Sequence, residues 1–171
     1  AEVLAAHGAR VLIGSRNPER GRAALARVQA MATGLAPELV ELDVSSLESV
    51  ARAANRIRER TGGTLDLLVN NAGIMAPPLS FSADGFESQW APNVLGANAI
   101  SWRMLASIAT APQGRIVFVS STRHLSATLD EARIRADIRG DGYRGFDIYG
   151  RTKLADLLMS RELDRHFRRT G

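Results

Sequence analysis

Cysteine is absent from the 171-residue sequence, which excludes disulfides, thiolate nucleophiles and cysteine-based metal sites. The three histidines, His7, His124 and His166, are far apart and lack metal-ligand spacing, so we expect no metal site. Aromatic residues make up only 5% of the chain, and the net charge of +4 comes from arginines spread over several segments. Binding to nucleic acid needs a concentrated basic face with groove-reading or aromatic elements, so we expect no nucleic-acid partner.

Long apolar runs are also missing from the sequence. No run approaches the roughly 18 residues that span a bilayer, and no signal peptide is visible, so we expect a cytoplasmic protein without a transmembrane segment. The chain starts at Ala1 and runs directly into a helical pattern. We therefore interpret it as a fragment, and an upstream targeting segment stays open.

Two hydrophobic periods alternate along the chain. Short runs rich in β-branched residues are separated by longer amphipathic stretches, which is typical of βαβ units and a parallel sheet. We predict one α/β domain over residues 1–171. The predicted strands cover 9–14, 39–42, 65–69 and 115–119, and the main helices cover 18–32, 47–61, 83–110 and 149–167. Pro92 predicts a kink or break in the third of these helices, and 122–147 is interpreted as a loop or small insertion.

Tyr149 and Lys153 are spaced four residues apart on a predicted helix. This spacing places the phenol and the ammonium on one face. A nearby cation favours the phenolate and brings its pKa from about 10 toward neutral pH, which suits a proton donor or acceptor.

Other candidate side chains follow predicted strands. Ser120 and Ser121 come directly after one strand, and residues 70–73, Asn-Asn-Ala-Gly, follow another. Ligands bind at the carboxyl ends of strands in open α/β sheets, so a serine hydroxyl there can hold a substrate carbonyl. The alternative is that the serines form a turn or helix cap. Asn93, beside Pro92, either lines the same crevice or is a partly exposed asparagine.

Together these motifs occur in the order, and on the elements, of the short-chain dehydrogenase/reductase family. The resemblance covers essentially the whole chain and implies a Rossmann-like, doubly wound parallel sheet. Ser121 and Tyr149 are 28 residues apart, and Arg123 and His124 follow soon after the serines. This arrangement resembles the retinol-dehydrogenase-like branch, which favours an apolar carbonyl or alcohol substrate.

The resemblance implies a role for each catalytic candidate. Tyr149 would be the general acid in carbonyl reduction and the base in alcohol oxidation. Lys153 would lower the pKa of the tyrosine and hold the nicotinamide ribose hydroxyls. Ser121, preferred to Ser120, would polarise the carbonyl, and Asn93 would support a water that relays protons. We expect an oxidoreductase, with a non-catalytic nucleotide-binding sensor or scaffold as the alternative.

The resemblance also bears on the cofactor. NAD-preferring relatives usually end their second strand with an acidic residue, whereas this sequence has Ser15 followed by Arg16. A guanidinium suits a 2′-phosphate, so NADP(H) is favoured over NAD(H). The alternative is that Arg16 is an ordinary surface arginine. The cofactor-binding candidates are Ser15, Arg16, Asp43, Val44, Asn70, Asn71, Ala72, Gly73, Tyr149 and Lys153.

Parts of the family pattern are missing from this sequence. The family's glycine-rich phosphate loop and first strand would precede Ala1, and its last strands would follow Gly171. We therefore expect an incomplete sheet, in which the second and fourth family strands have no shared neighbour. Weak cofactor binding and exposed strand edges follow for the chain alone.

Relatives pair through two long helices, here 83–110 and 149–168, so the resemblance implies a homodimer or homotetramer. The apolar residues of the second helix fit either an interface or packing on the sheet. They are Leu154, Leu157, Leu158 and Leu163.

Overall fold

The computed structural model describes residues 1–170, and side chains as far as residue 168. Helices and parallel strands alternate, which confirms the predicted α/β class. The helices are α1 (Glu2–Ala6), α2 (Pro18–Met31), α3 (Leu47–Thr61), α4 (Ala97–Ala109), α5 (Glu131–Arg139) and α6 (Gly145–Thr170). The strands are β1 (Leu12–Ser15), β2 (Glu38–Glu41), β3 (Leu67–Asn70) and β4 (Arg115–Phe118). A π-helical turn spans Ala91–Gly96, and a 3₁₀ turn spans Thr122–Ser126.

Short-range capping explains several helix boundaries. The Asn17 side chain accepts a hydrogen bond from the Arg20 amide at the start of α2, and Pro18 takes the first helical position. The Ser46 side chain accepts a hydrogen bond from the Ser49 amide at the start of α3. Gly62 ends α3 in the left-handed conformation with φ of 62°.

The strands form two separate parallel pairs. β1 pairs with β2, and β3 pairs with β4, each in continuous register. Among the described strands no hydrogen bond joins one pair to the other. The predicted incomplete sheet is therefore confirmed: the second and fourth strands of the family pattern, here β1 and β3, have no shared strand between them.

Helices α3 and α4 pack against each other and connect the two strand pairs. Their shared core consists of buried apolar residues from both helices and β2: Val40, Val50, Ala53, Ala54, Ile57, Ile100, Met104 and Ile108. Leu68 and Ile116 pack against this core. Successive strand residues face opposite sides, so Val69, Val117 and Val119 face away from it and are 41–45% exposed. None of the described helices is both long and apolar enough to cross a membrane.

A close contact between Gly96 and Val44 sets the position of the π turn. A Cβ on Gly96 would lie 1.8 Å from the Val44 carbonyl oxygen. Only glycine permits this approach of backbone to backbone. The contact brings the helical segment that contains Asn93 against the loop that follows β2.

The prediction of a helix over 83–110 is wrong at its beginning. Phe81 and Glu87 form an isolated antiparallel bridge, and the helical segment starts with the π turn at Ala91. The Glu87 carboxylate accepts hydrogen bonds from the amides of Gln89 and Trp90, which satisfies donors before the turn. The break expected at Pro92 is confirmed, because this residue lies inside the π turn.

Of the two interpretations of 122–147, a loop or a small insertion, the structure shows a small insertion with regular structure. This segment contains the 3₁₀ turn and α5, and α6 begins at Gly145 rather than at Tyr149. Helix α5 has only nine residues and is capped by Asp130. Its apolar side chains pack on a second core formed by α6 and the π turn, so its stability comes from tertiary contacts that local periodicity does not show.

Candidate functional site

Helix α6 places Tyr149 and Lys153 at the carboxyl end of β4. The helix packs against β4, the π turn and the 3₁₀ turn. The ammonium nitrogen of Lys153 lies 5.9 Å from the centroid of the Tyr149 ring. Tyr149 is half-buried, and among the described residues its hydroxyl has no hydrogen-bond partner. The phenol is therefore available to a ligand beside a fixed positive charge.

Lys153 is held in a buried position, with 6% of its surface exposed. Its Nζ donates to the Val119 carbonyl oxygen at 2.9 Å and to Asp156 Oδ2 at 2.8 Å. It is also the only lysine in a sequence with 22 basic residues. The other basic residues in that count are arginines. The compact ammonium of a lysine is therefore used only at this buried position.

Asp156 completes a buried ion pair with Lys153. Their side chains are 3% and 8% exposed, respectively. Burial raises the pKa of the Asp156 carboxyl to about 6, against the lowering effects of the hydrogen bond and the charge of Lys153. Asp156 Oδ1 is buried and has no partner among the described residues. The sequence motifs did not single out this residue.

Asn93 connects the π turn to the loop after β3 and to α6. Its Oδ1 accepts from the Ile74 amide at 2.9 Å, and its Nδ2 donates to the Ile74 carbonyl and to Thr152 Oγ1. A Cβ on Gly73 would lie 2.9 Å from Asn93 Oδ1 and 3.7 Å from Lys153 Nζ. The lack of a side chain at Gly73 therefore lets these groups converge.

The two serines after β4 make different contacts. Ser120 Oγ donates to the Lys153 carbonyl oxygen at 2.8 Å and ties the strand end to α6. Ser121 caps the 3₁₀ turn, and its Oγ accepts from the Arg123 amide at 3.3 Å. As an acceptor in that contact, the Ser121 hydroxyl keeps its hydrogen for another partner. The cap alternative is thus observed, and it leaves a donor that a substrate carbonyl can use.

A polar network that the sequence analysis missed holds the loop after β3. Gln89 Oε1 accepts from the Ala76 amide at 2.8 Å, and Gln89 Nε2 donates to the Gly145 carbonyl at 3.1 Å. The Tyr143 hydroxyl donates to the Pro77 carbonyl. Ala76 has a φ of 46°, which is strained for a residue with a side chain. Gln89 thereby connects a strained loop to the first residue of α6.

A second missed contact attaches α5 to α6. Arg151 donates to Asp137 with two hydrogen bonds, of 2.5 and 2.7 Å, and the side chains are 14% and 5% exposed. The hydrogen bonds to Asp137 raise the pKa of Arg151. This bidentate pair lies two residues from both Tyr149 and Lys153 on α6, so it supports the helix that carries them.

Of the motif residues 70–73, Asn70 ends β3 and makes an internal contact, whereas the three residues after the strand are exposed. Asn70 Nδ2 donates to Ser101 Oγ at 2.8 Å, so this side chain faces α4. Asn71, Ala72 and Gly73 are exposed. Their surface lies beside the Lys153 ammonium and offers a ligand room to approach the backbone.

The remaining cofactor candidates lie after β1 and β2. Ser15 Oγ donates to the Asn17 carbonyl at 3.0 Å, and Arg16 is exposed, with no ion pair among the described residues. Asp43 Oδ1 accepts from the amide and hydroxyl of Ser45 at 2.9 and 2.6 Å. The β1–β2 register places Glu41 opposite Ser15, a nearby carboxylate that the sequence analysis missed. Among the described residues, no group of His, Asp and Glu side chains could hold a metal.

Comparison with known proteins identifies the family. A family model described as short chain dehydrogenase matches residues 1–129. The chain belongs to the short-chain dehydrogenase family. A short-chain dehydrogenase/reductase from Penicillium roqueforti is 38% identical over 98% of this chain and 48% of its own length. Retinol dehydrogenase 12 from Bos taurus is 35% identical over the whole chain and 53% of its own length, which confirms the resemblance to that branch.

Solved structures of the family show the same fold. An uncharacterised protein from Mycobacterium paratuberculosis superposes with a TM-score of 0.81 and 35% identity, over 98% of this chain and 57% of that one. A short-chain dehydrogenase from Burkholderia cenocepacia, solved in complex with NADP, gives 0.74 and 27% identity, over the whole chain and 63% of that one. The chain spans about half the length of the curated relatives that it matches.

Proposed function

We propose that the protein is an NADP(H)-dependent oxidoreductase that interconverts a carbonyl compound and an alcohol, with Tyr149 as the acid and base. The observation that carries this proposal is the pairing of a free phenol with a buried ammonium 5.9 Å from its ring, at the carboxyl end of β4. In general, a cation beside a phenol favours the charged form that proton transfer requires.

The residues around the phenol transfer the proton, orient the substrate oxygen and hold the neighbouring loop. In carbonyl reduction, Tyr149 gives its hydroxyl proton to the carbonyl oxygen, and in alcohol oxidation it takes that proton back. The Ser121 hydroxyl donates a hydrogen bond to the same oxygen and orients it. Asn93 uses its side chain to hold Ile74 and Thr152, so its part is to fix the π turn and the loop after β3. Support of a relay water by this turn stays a prediction.

The residues present fit a nicotinamide nucleotide on the side of Lys153 and Gly73. An ammonium has three N–H groups, and Lys153 uses two of them on Val119 and Asp156, which leaves one for ribose hydroxyls. The exposed, side-chain-free surface of Gly73 lies within 4 Å of the same ammonium. The bound nucleotide would supply or accept the hydride, which no side chain of the protein can do.

The preference for NADP(H) rests on Arg16. Its guanidinium is exposed at the end of β1, it is not paired within the described residues, and it follows a serine where an acidic residue would bind a ribose hydroxyl. Glu41 lies opposite Ser15 and opposes this preference with its negative charge. Arg16 offers two parallel donors to a phosphate, and we infer that its contribution is the larger.

The substrate side of the site supports an apolar carbonyl or alcohol. Phe146 lies one turn before Tyr149 on α6 and is 55% exposed, and Leu125 on the 3₁₀ turn is 78% exposed. The Arg123 guanidinium stacks over the Phe146 ring at 5.4 Å. Apolar surface beside the phenol favours a substrate with a hydrophobic body.

The assay that tests this function follows the absorbance at 340 nm in the protein expressed from the complete open reading frame. NADPH should be consumed in the presence of an apolar aldehyde or ketone, and Tyr149→Phe should lower the rate by about 10²–10⁴-fold, since it removes only the transferable proton. Tyr143→Phe, at the chain's other tyrosine, is the matched control and should retain activity. Nucleotide binding without turnover in the unmodified protein would favour a sensor or scaffold instead.

We also propose that the protein forms a homodimer or homotetramer through α4 and α6. Leu157, Leu158 and Trp102 are 38–45% exposed on these helices, which supports an apolar contact. Leu163 is buried within the protomer, so it is not available for such an interface. The cytoplasmic location stays a prediction.

A further inference from the structure

The inference concerns the carboxylate that accompanies the only lysine of the chain. Asp156 lies three residues after Lys153, so both side chains lie on the same side of α6. Charged side chains are rarely buried unless they are paired, and this pair is almost fully buried. Among the described residues, the ion pair of Asp156 is therefore with the Lys153 ammonium.

Two acceptors fix the position of Lys153 Nζ. The Val119 carbonyl holds it from the end of β4 at 2.9 Å, and Asp156 Oδ2 holds it from α6 at 2.8 Å. A lysine side chain has four rotatable bonds, so one backbone acceptor alone leaves the ammonium several positions. The second acceptor selects the position beside Gly73 and the Tyr149 ring.

The second oxygen of the Asp156 carboxylate, Oδ1, is a further hydrogen-bond acceptor. Asp156 Oδ1 is buried without a partner among the described residues. A buried oxygen of this kind is unfavourable in a purely structural ion pair, for which the simplest solution satisfies both oxygens. A buried ion pair with an unsatisfied oxygen contributes little net stability, so stability alone is a weak explanation for this pair.

We propose that Asp156 is a positioning residue that holds the Lys153 ammonium between Gly73 and Tyr149, so that its third N–H is directed to the bound nucleotide. This inference rests on the proposed function for the ligand, but the ion pair itself exists without it. Loss of the carboxylate charge releases Nζ from its position and weakens nucleotide binding.

Few other charged groups face this pair. The π turn, residues 91–96, contributes none, and Arg115 of β4 lies at the opposite end of that strand. On α6, Arg151 is paired with Asp137. The 3₁₀ turn contributes the exposed Arg123 and also His124, whose Nδ1 lies 2.5 Å from the Ser121 carbonyl oxygen. His124→Gln removes the imidazole that faces the pair and is a necessary control.

The first test uses the fact that the sequence contains one lysine. In protein labelled with ¹³C at lysine Cε, a Lys153→Arg variant identifies the resonance. We expect that resonance to follow a transition with a midpoint of about pH 6, the pKa of the buried Asp156 carboxyl. The transition should persist in His124→Gln and in Asp164→Asn, which changes an exposed aspartate of the same helix, and it should vanish in Asp156→Asn.

The second test separates positioning from stability in the active protein. Asp156→Asn and Asp156→Ala should raise the KM for NADPH by about threefold and about tenfold, because the first keeps a neutral acceptor and the second keeps none. A merely structural role would lower the amount of folded protein and leave the KM unchanged. Asp156→Glu, which keeps the charge, should restore part of the loss.

Both readouts can overturn the proposal. A lysine resonance without a transition near pH 6 in the unmodified protein would contradict it, and that measurement needs no variant of Asp156 to fold. An unchanged KM in folded Asp156→Ala would contradict it as well. The resonance test needs neither nucleotide nor turnover, so an inactive protein that shows the transition would defeat the proposed function and leave the ion-pair inference intact.

Discussion

The ends of the two strand pairs are built from different kinds of contact. The nucleotide-side region, residues 12–44, contains β1, β2 and the loops that follow them. Its polar side chains are exposed or half-buried. The catalytic region, residues 70–78, 87–96 and 119–156, lies at the ends of β3 and β4. It contains a set of buried polar side chains: Glu87, Gln89, Asn93, Asp137, Thr152, Lys153 and Asp156.

This difference separates two ways of making a site. A buried polar group is unfavourable unless it is hydrogen-bonded, so the catalytic region has few alternative arrangements and holds its groups in place. Exposed side chains such as that of Arg16 keep their conformational freedom and act on a ligand through their charge. Substitutions of the buried polar residues in the catalytic region should therefore affect stability and rate together, whereas those in the nucleotide-side region should affect mainly the choice of nucleotide.

The largest expected loss of stability comes from the buried pair of α5 and α6. Arg151→Ala leaves Asp137 as an uncompensated buried charge and should lower the free energy of unfolding by about 3–5 kcal/mol. The matched control is Arg144→Ala, at the residue directly before α6, whose partner Asp147 is half-exposed, and its effect should stay below about 1 kcal/mol. Equal losses in urea denaturation would contradict the claim that the buried ion pair, and not the exposed one, stabilises this region.

A smaller effect depends on pH through Asp156. Its pKa is raised to about 6 in the folded protein from an ordinary value of 3.8, so the folded state binds the proton more tightly than the unfolded state does. This contribution favours folding at low pH and is lost as the pH rises through about 6. Relative to Asp156→Asn, the unmodified protein should therefore gain about 1–3 kcal/mol of unfolding free energy between pH 7 and pH 4. Parallel stability profiles of the two proteins would contradict this assignment.

In the nucleotide-side region the expected change is in selectivity alone. Arg16→Ala should raise the KM for NADPH about tenfold, leave the KM for NADH unchanged and leave stability within about 0.5 kcal/mol. Glu41→Gln removes the opposing charge and should lower the KM for NADPH or leave it unchanged. An equal rise in the KM for NADPH and for NADH in Arg16→Ala would show that this side chain does not recognise the 2′-phosphate.

Sequence patterns predicted the elements that have strong local signals. Pro18 at the start of α2, Ser46 at the start of α3 and Gly62 at its end lie where capping preferences place them. The predicted helix was wrong over 83–90, and the helical elements within 122–147 were not predicted. There the backbone is organised by Glu87 as a buried acceptor and by packing of α5 on α6, and neither contact leaves a period in the sequence.

The candidate site also divides into residues that the sequence predicted and residues that it did not. The motif residues Asn93, Tyr149 and Lys153 meet in space, but their supporting residues were missed because a buried carboxylate or amide has no signature of its own. One signal was available for this centre: the sequence uses arginine everywhere except at Lys153. Glu41 was missed for another reason, since its proximity to Ser15 depends on strand register.

The most direct test of the account is the rate of NADPH oxidation in Lys153→Arg. This variant keeps the positive charge but replaces a compact ammonium, held at 2.9 and 2.8 Å, with a larger planar group. We predict a loss of at least about 100-fold in kcat/KM in folded protein, whereas Arg161→Lys on the exposed face of α6 should be neutral. A Lys153→Arg enzyme with nearly normal activity would contradict the claim that this site depends on buried geometry.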